Sequence, residues 1–111
     1  MTGSTGGIGS AIKDLLVTSG IEVVEIVSKD YDLSSDFCLP EITCDGFIHC
    51  AGINILNKIQ DVEEETLLKV FKVNTFSFLN ICKQLNFSNN SNIVAIGSLY
   101  SDRKSTRLNS S

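Results

Sequence analysis

A chain of 111 residues has room for one domain with a modest core, and 42% hydrophobic with 7% aromatic content is ordinary for a globular chain. A formal charge of −4, with its only positive cluster at Arg103, Lys104 and Arg107, argues against nucleic acid as a partner. No apolar run approaches ~20 residues and the first residues are glycine-rich, so neither a membrane span nor a signal peptide is read.

Cys38, Cys44, Cys50 and Cys82 form no CxxC and no metal spacing with His49, the single histidine. The expectation is four reduced thiols, no metal site and a cytoplasmic location. His49 and Cys50 are neighbours, so on a strand they point to opposite faces.

In chain order, "TGSTGGIG" (2–9) reads as a loop opening a helix. Ile8, Ala11, Ile12, Leu15 and Leu16 recur at helical spacing, and Gly20 is placed to end that helix. "IEVVEIV" (21–27) is almost continuously apolar and β-branched, as a strand buried on both faces would be. A turn is expected around Asp32 to Asp36, and "GFIHCAG" (46–52) reads as a second strand running into a glycine.

A long helix is expected over roughly 62–85. Glu63, Glu64 and Glu65 lie in its first turn, where the helix dipole favours them. Leu68, Phe71, Phe78, Cys82 and Leu85 give it a plausible buried stripe. "NFSNNSN" (86–92) reads as a polar turn and "NIVAIG" (92–97) as a third buried strand. Loop, helix, strand, strand, helix, strand is the order of a parallel α/β layer.

Gly3, Gly7 and Gly9 let backbone N–H groups approach a phosphate at a helix N-terminus, although a glycine cluster alone is also just a tight turn. No Gly-Lys-Ser/Thr follows, so it is not a P-loop. The cluster has company. "TGSTGGIG", "CAGI" (50–53), "VNT" (73–75) and "IVAIGS" (93–98) follow one another as the TGxxxGxG loop, NNAG segment, Asn-bearing helix and Ser-bearing strand end do in one family. Over residues 1 to about 101 the chain resembles the short-chain dehydrogenase/reductase family, on the short single-domain side of it.

That resemblance implies a partial Rossmann-type doubly wound parallel sheet and an NAD(P)-dependent oxidoreductase. Such an enzyme moves a hydride between the nicotinamide cofactor and a small carbonyl or alcohol substrate. It implies that Thr2, Gly3, Gly7, Ile8 and Gly9 line the pyrophosphate and adenosine ribose. Asp32 would accept from the adenine amino group, and Cys50, Ala51 and Gly52 would pass their backbone along the cofactor. Cys50 departs from the family's usual Asn. Asn74 would hold a water in a proton relay, and Ser98 would bond the substrate carbonyl. The parent would be a homodimer or homotetramer. A non-catalytic dinucleotide-binding or sensor protein on the same fold is the alternative.

Cofactor choice is read at the end of the second strand, where an acid would accept from the 2′-OH of NAD. That end is Val27-Ser28-Lys29, with no acid and with a Lys able to pair with a phosphate. The expectation is NADP ahead of NAD, although no Arg accompanies the glycines.

Tyr100 and Lys104 have the family's YxxxK spacing, but Tyr100 is only two residues after Ser98. That leaves no room to leave a strand, form a loop and enter a helix, so the pair is not read as the catalytic dyad. "DRKSTRLNSS" (102–111) resembles a translated sequencing-library adapter. Its one acid and three bases would leave the rest of the chain nearer −6. The reading is a partial dinucleotide-binding domain over 1–101 and a non-native tail over 102–111. Only Met1 precedes Thr2, so the first, central strand is expected to be missing. A fragment of this kind would be inactive and marginal in stability, with unpaired strand edges.

Overall fold

In the computed structural model, residues 1–54 and 58–97 are described, Ile59 by its backbone only. Ser98, Tyr100, Lys104 and the 102–111 segment lie outside the described residues.

The glycine loop opens helix α1, Gly7–Thr18. Its end is a Schellman turn. The Gly20 N–H bonds the Val17 carbonyl and the Ile21 N–H bonds the Leu16 carbonyl, at 3.0 and 2.9 Å. Gly20 takes φ +83°, which a residue without a β-carbon adopts at little cost.

Strand β1, Thr43–His49, and strand β2, Asn86–Ala95, form a two-stranded parallel sheet. Between them in sequence lie a 3-10 turn, Ile59–Asp61, and an unbroken helical rod. The rod comprises α2 (Glu64–Phe71), a π-helical turn (Lys72–Phe76) and α3 (Ser77–Gln84). The molecule is therefore mixed α/β, with parallel strands joined by a helical crossover.

A fragment of sheet continues on the far side of β1. Thr2 makes parallel bridges to both Ile26 and His49. The Thr2 N–H bonds the Ile48 carbonyl at 3.0 Å and the Ile26 N–H bonds the Met1 carbonyl at 2.8 Å. Met1 and Thr2 thus separate residue 26 from β1. The expectation of a full strand over 21–27 fails, since only Ile26 enters a ladder. An apolar, β-branched run becomes a strand only where partner backbone pairs with it, and here the pairing is made at Ile26 by Met1 and Thr2.

The core contains Ile26, Leu33, Phe47, Val73, Ile81 and Leu85, with Phe78, Cys82 and Phe87 packed against it. The long helix exists as expected, but its stripe does not run straight. Phe78, Cys82 and Leu85 face the core, while Leu68 and Phe71 are about half exposed. The π turn is the reason. Its wider turn carries one extra residue, which rotates everything before it away from the face set by α3. The buried row of the rod is Val73, Ser77 and Ile81. Helix α1 differs too, because Ile8 and Leu15 are mostly exposed and only Gly9 is buried.

The expected polar turn at 86–92 lies inside β2. Cys44 pairs with Phe87 but Gly46 pairs with Asn92, so residues 88–91 bulge opposite Asp45 alone. Ser88 Oγ donates to Asp45 Oδ1 at 2.6 Å, Ser91 Oγ donates to the Ser88 carbonyl, and Asn90 takes φ 63°. The turn chemistry was legible. What was not is that the strand re-pairs on both sides of it.

Candidate functional site

The loop after Thr2, the segment after β1 and the end of β2 lie together, because parallel strands carry their C-terminal ends to one edge. In open parallel sheets ligands bind at that edge.

Close approach fixes the glycine loop. Gly3 takes φ +70°, and a β-carbon there would lie 2.6 Å from the Ala51 nitrogen. A β-carbon on Gly9 would collide with the Gly3 carbonyl. Gly3 therefore lets the loop lie on the backbone of 50–51, and Gly9 lets α1 lie on the loop. Gly7 is different: its β-carbon would meet nothing within 4 Å, and it begins α1. The first N–H groups of a helix have no partner inside it, and Gly6, Gly7 and Ile8 at this helix start are exposed.

Thr2 is fully buried and is the node of the site. Its Oγ1 accepts from the Cys50 and Ala51 N–H groups, both at 3.2 Å, and lies 2.8 Å from His49 Nδ1. His49 is 5% exposed and packs its ring against Phe47 and Phe78. Its Nε2 is buried with no hydrogen-bond partner among the described residues. The Asn74 backbone acts to raise the pKa of the ring. Burial is the larger effect and holds the imidazole below its ordinary pKa, so the ring is neutral.

Asn74 sits in the π turn. Its Oδ1 accepts from the Ile53 N–H at 2.8 Å and its Nδ2 donates to the Ile53 carbonyl at 2.9 Å. Both ends of the amide are thus spent on pinning the segment after Gly52. Ser77 Oγ donates to the Val73 carbonyl at 2.6 Å, supporting the turn. Between β1, β2 and the rod lies a cleft of about 350 Å³, lined by His49, Cys50, Asn74, Phe78, Ala95 and Ile96 among others. Burial pushes the Cys50 thiol up, which keeps it protonated.

At the other end of the loop, Ser4 is buried and donates from Oγ to Glu25 Oε1 at 2.6 Å. Lys13 Nζ reaches the same oxygen at 3.1 Å. The Ser4 hydroxyl first, then Lys13, hold the Glu25 carboxyl below its ordinary value. Ser28 and Lys29 are exposed in a turn directly after Ile26, so they stand at the same sheet edge as the loop. Asp32 anchors an Asx turn: its Oδ1 accepts from the Ser34 N–H at 3.0 Å and from Ser34 Oγ at 2.6 Å. The Ser34 hydroxyl is the main reason its carboxyl is held low.

The structure therefore brings Thr2, Gly3, Gly9, Cys50 and Ala51 into direct contact and ties Asn74 to Ile53, one residue beyond Gly52. Gly7 and Ile8 are exposed at the start of α1. Sequence reading missed Ser4, Glu25 and His49 as members of the site. The signal for two of them was present, since Glu25 and His49 are polar residues interrupting apolar runs. All four cysteines are free. No helix among the described residues is long and apolar enough to cross a membrane. Comparison with protein-family models, with curated proteins and with solved structures found no match.

Proposed function

We propose that this chain carries the dinucleotide-binding part of an NAD(P)-dependent oxidoreductase of the short-chain dehydrogenase/reductase type, built on a partial Rossmann-type sheet. One observation carries the reading. A glycine-sealed loop starts a helix at the C-terminal edge of parallel strands, and Gly7 leaves that helix start open. A phosphate is the ligand such a start favours, since unpaired N–H groups and the helix dipole act together.

The residues fit a dinucleotide in other respects. Gly3 and Gly9 hold the loop flat on residues 50–51, so the start of α1 and the Cys50–Gly52 backbone flank one space. Asn74 fixes the segment after Gly52 through Ile53. Exposed Ser28 and Lys29, with no acid between them and Ile26, suit a 2′-phosphate and support NADP ahead of NAD. The nicotinamide, when bound, supplies the hydride donor or acceptor for a carbonyl or alcohol carbon. The protein's part is to bind, to orient and to keep the 50–54 segment in place.

The test is a fluorescence titration of the full chain with NADPH, competed by ADP-ribose and repeated with Gly7→Ala. The expected result is saturable binding that ADP-ribose displaces and that Gly7→Ala weakens at least tenfold with the fold intact. A folded chain with no saturable NADPH or NADH binding overturns the proposal.

A further inference from the structure

His49 is the one buried titratable group in the site that the dinucleotide reading leaves without a task. Proton counting fixes its state. The Thr2 hydroxyl has two lone pairs and one proton. The Ala51 N–H and the Cys50 N–H both point at Oγ1 and take up its lone pairs, the Cys50 N–H sharing itself with the Thr2 carbonyl at 3.3 Å. The Thr2 proton is then left for His49 Nδ1, 2.8 Å away. An imidazole that accepts at Nδ1 and is neutral carries its proton on Nε2. That atom is buried, on a ring that lines the cleft, with no hydrogen-bond partner among the described residues.

We infer that His49 is a positioning residue, locked in the Nε2–H tautomer, that links the glycine loop to the π turn carrying Asn74. The inference rests on the dinucleotide reading for its functional consequence, but not for the tautomer. Thr2 is the last residue before Gly3, and Asn74 pins Ile53, so the ring stands between the two supports of the cofactor's path. A protonated ring would put a second donor against the Thr2 hydroxyl. Thr2 would then have to release a backbone N–H of 50–51, on which Gly3 rests. The groups packed on the ring are Thr2 from the loop, Phe47 on its own strand, and Phe78 and the Asn74 backbone from the rod. None of them carries a charge that would hold a second proton.

The chain has one histidine, so its imidazole nitrogens are read without assignment. Long-range 1H–15N spectra of the full, uniformly labelled chain are expected to show a protonated Nε2 and a bare Nδ1 at neutral pH. Thr2→Val is expected to convert that pattern to a tautomer mixture. A bare Nε2, or a free-imidazole average in the parent chain, overturns the inference whatever the outcome with NADPH. The functional arm compares His49→Phe, which fills the space without polar atoms, with His49→Asn, whose Oδ1 restores an acceptor near the Nδ1 position. NADPH affinity is expected to fall about tenfold in His49→Phe and to recover at least half of that in His49→Asn, a 1.4 kcal/mol step per tenfold. Equal affinity in all three, in a chain that does bind NADPH, overturns it as well. No NADPH binding by the parent chain, with the Nε2–H pattern present, sinks the dinucleotide reading and leaves the tautomer lock standing.

Discussion

Gly9 lies on Gly3 so closely that a β-carbon on Gly9 would fall inside contact distance of the Gly3 carbonyl, while Gly7, between them and the solvent, meets nothing. Two glycines of one loop therefore answer to different demands, and alanine separates them. Gly9→Ala forces loop and helix apart and is expected to cost about 2–3 kcal/mol, in the range of an overpacked core position. Gly7→Ala relieves chain entropy at a helical position and is expected to leave stability equal or higher by up to about 1 kcal/mol. Urea unfolding of the two variants checks this. A Gly7→Ala chain that unfolds as easily as Gly9→Ala contradicts the structure.

The neutral state of His49 gives the chain a pH signature. Burial lowers the folded imidazole pKa below its ordinary 6.5, so the unfolded state takes up a proton first as pH falls. The stability contributed by the neutral ring is full above 6.5 and is lost as pH falls through that value toward the folded pKa. Glu25 and Asp32, also depressed, act in a lower window. Their contribution is present above their ordinary 4.5 and 3.8 and goes as pH falls through the folded values. Melting temperature is therefore expected to drop between roughly pH 7 and pH 5, and His49→Asn is expected to flatten that slope. An unchanged slope in His49→Asn would place the titration elsewhere.

How much of this was legible in the sequence depends on whether the residues concerned act locally. The Schellman turn at Gly20, the Asx turn at Asp32 and the acidic start of the long helix are set within a few residues, and the sequence shows each. The π turn is not local in that sense. Lys72–Phe76 contains no Pro or Gly to announce it, and its effect is seen only where Leu68 and Phe71 rotate away from the core. Residues 21–27 read as a strand by composition, but only Ile26 pairs, and pairing is what composition does not record. The glycines of the loop were found by pattern. His49 was seen only as the neighbour of Cys50, because its partner Thr2 stands 47 positions away.

Cofactor preference is expected to follow Lys29. The side chain is exposed in the turn after Ile26, where Val27 and Ser28 precede it and the exposed Asp30 follows it. Lys29→Glu replaces a phosphate partner with a repelling carboxylate and offers an acceptor to a 2′-OH. The ratio of NADPH to NADH dissociation constants is expected to move toward NADH by about tenfold or more. Because Lys29 takes no part in the core, the circular dichroism spectrum should stay that of the parent. A ratio that does not move removes the support for NADP.

Asn74 offers the sharpest separation of structural from chemical roles. Its Oδ1 and Nδ2 are both bonded to Ile53, so the side chain holds backbone. Asn74→Ala removes both bonds and is expected to cost about 1–2 kcal/mol, a discounted sum for two exposed hydrogen bonds. Asn74→Asp keeps the acceptor for the Ile53 N–H but sets a carboxylate against the Ile53 carbonyl, and it should lose nearly as much. The local consequence is the more telling one. With Ile53 released, amide exchange at Ala51, Gly52 and Ile53 is expected to speed up well before exchange in α3, whose Ile81 is fully buried. If exchange instead rises uniformly through α3 and β1, the amide is a general support of the rod. The backbone of 50–51 would then owe its position chiefly to Thr2 and Gly3.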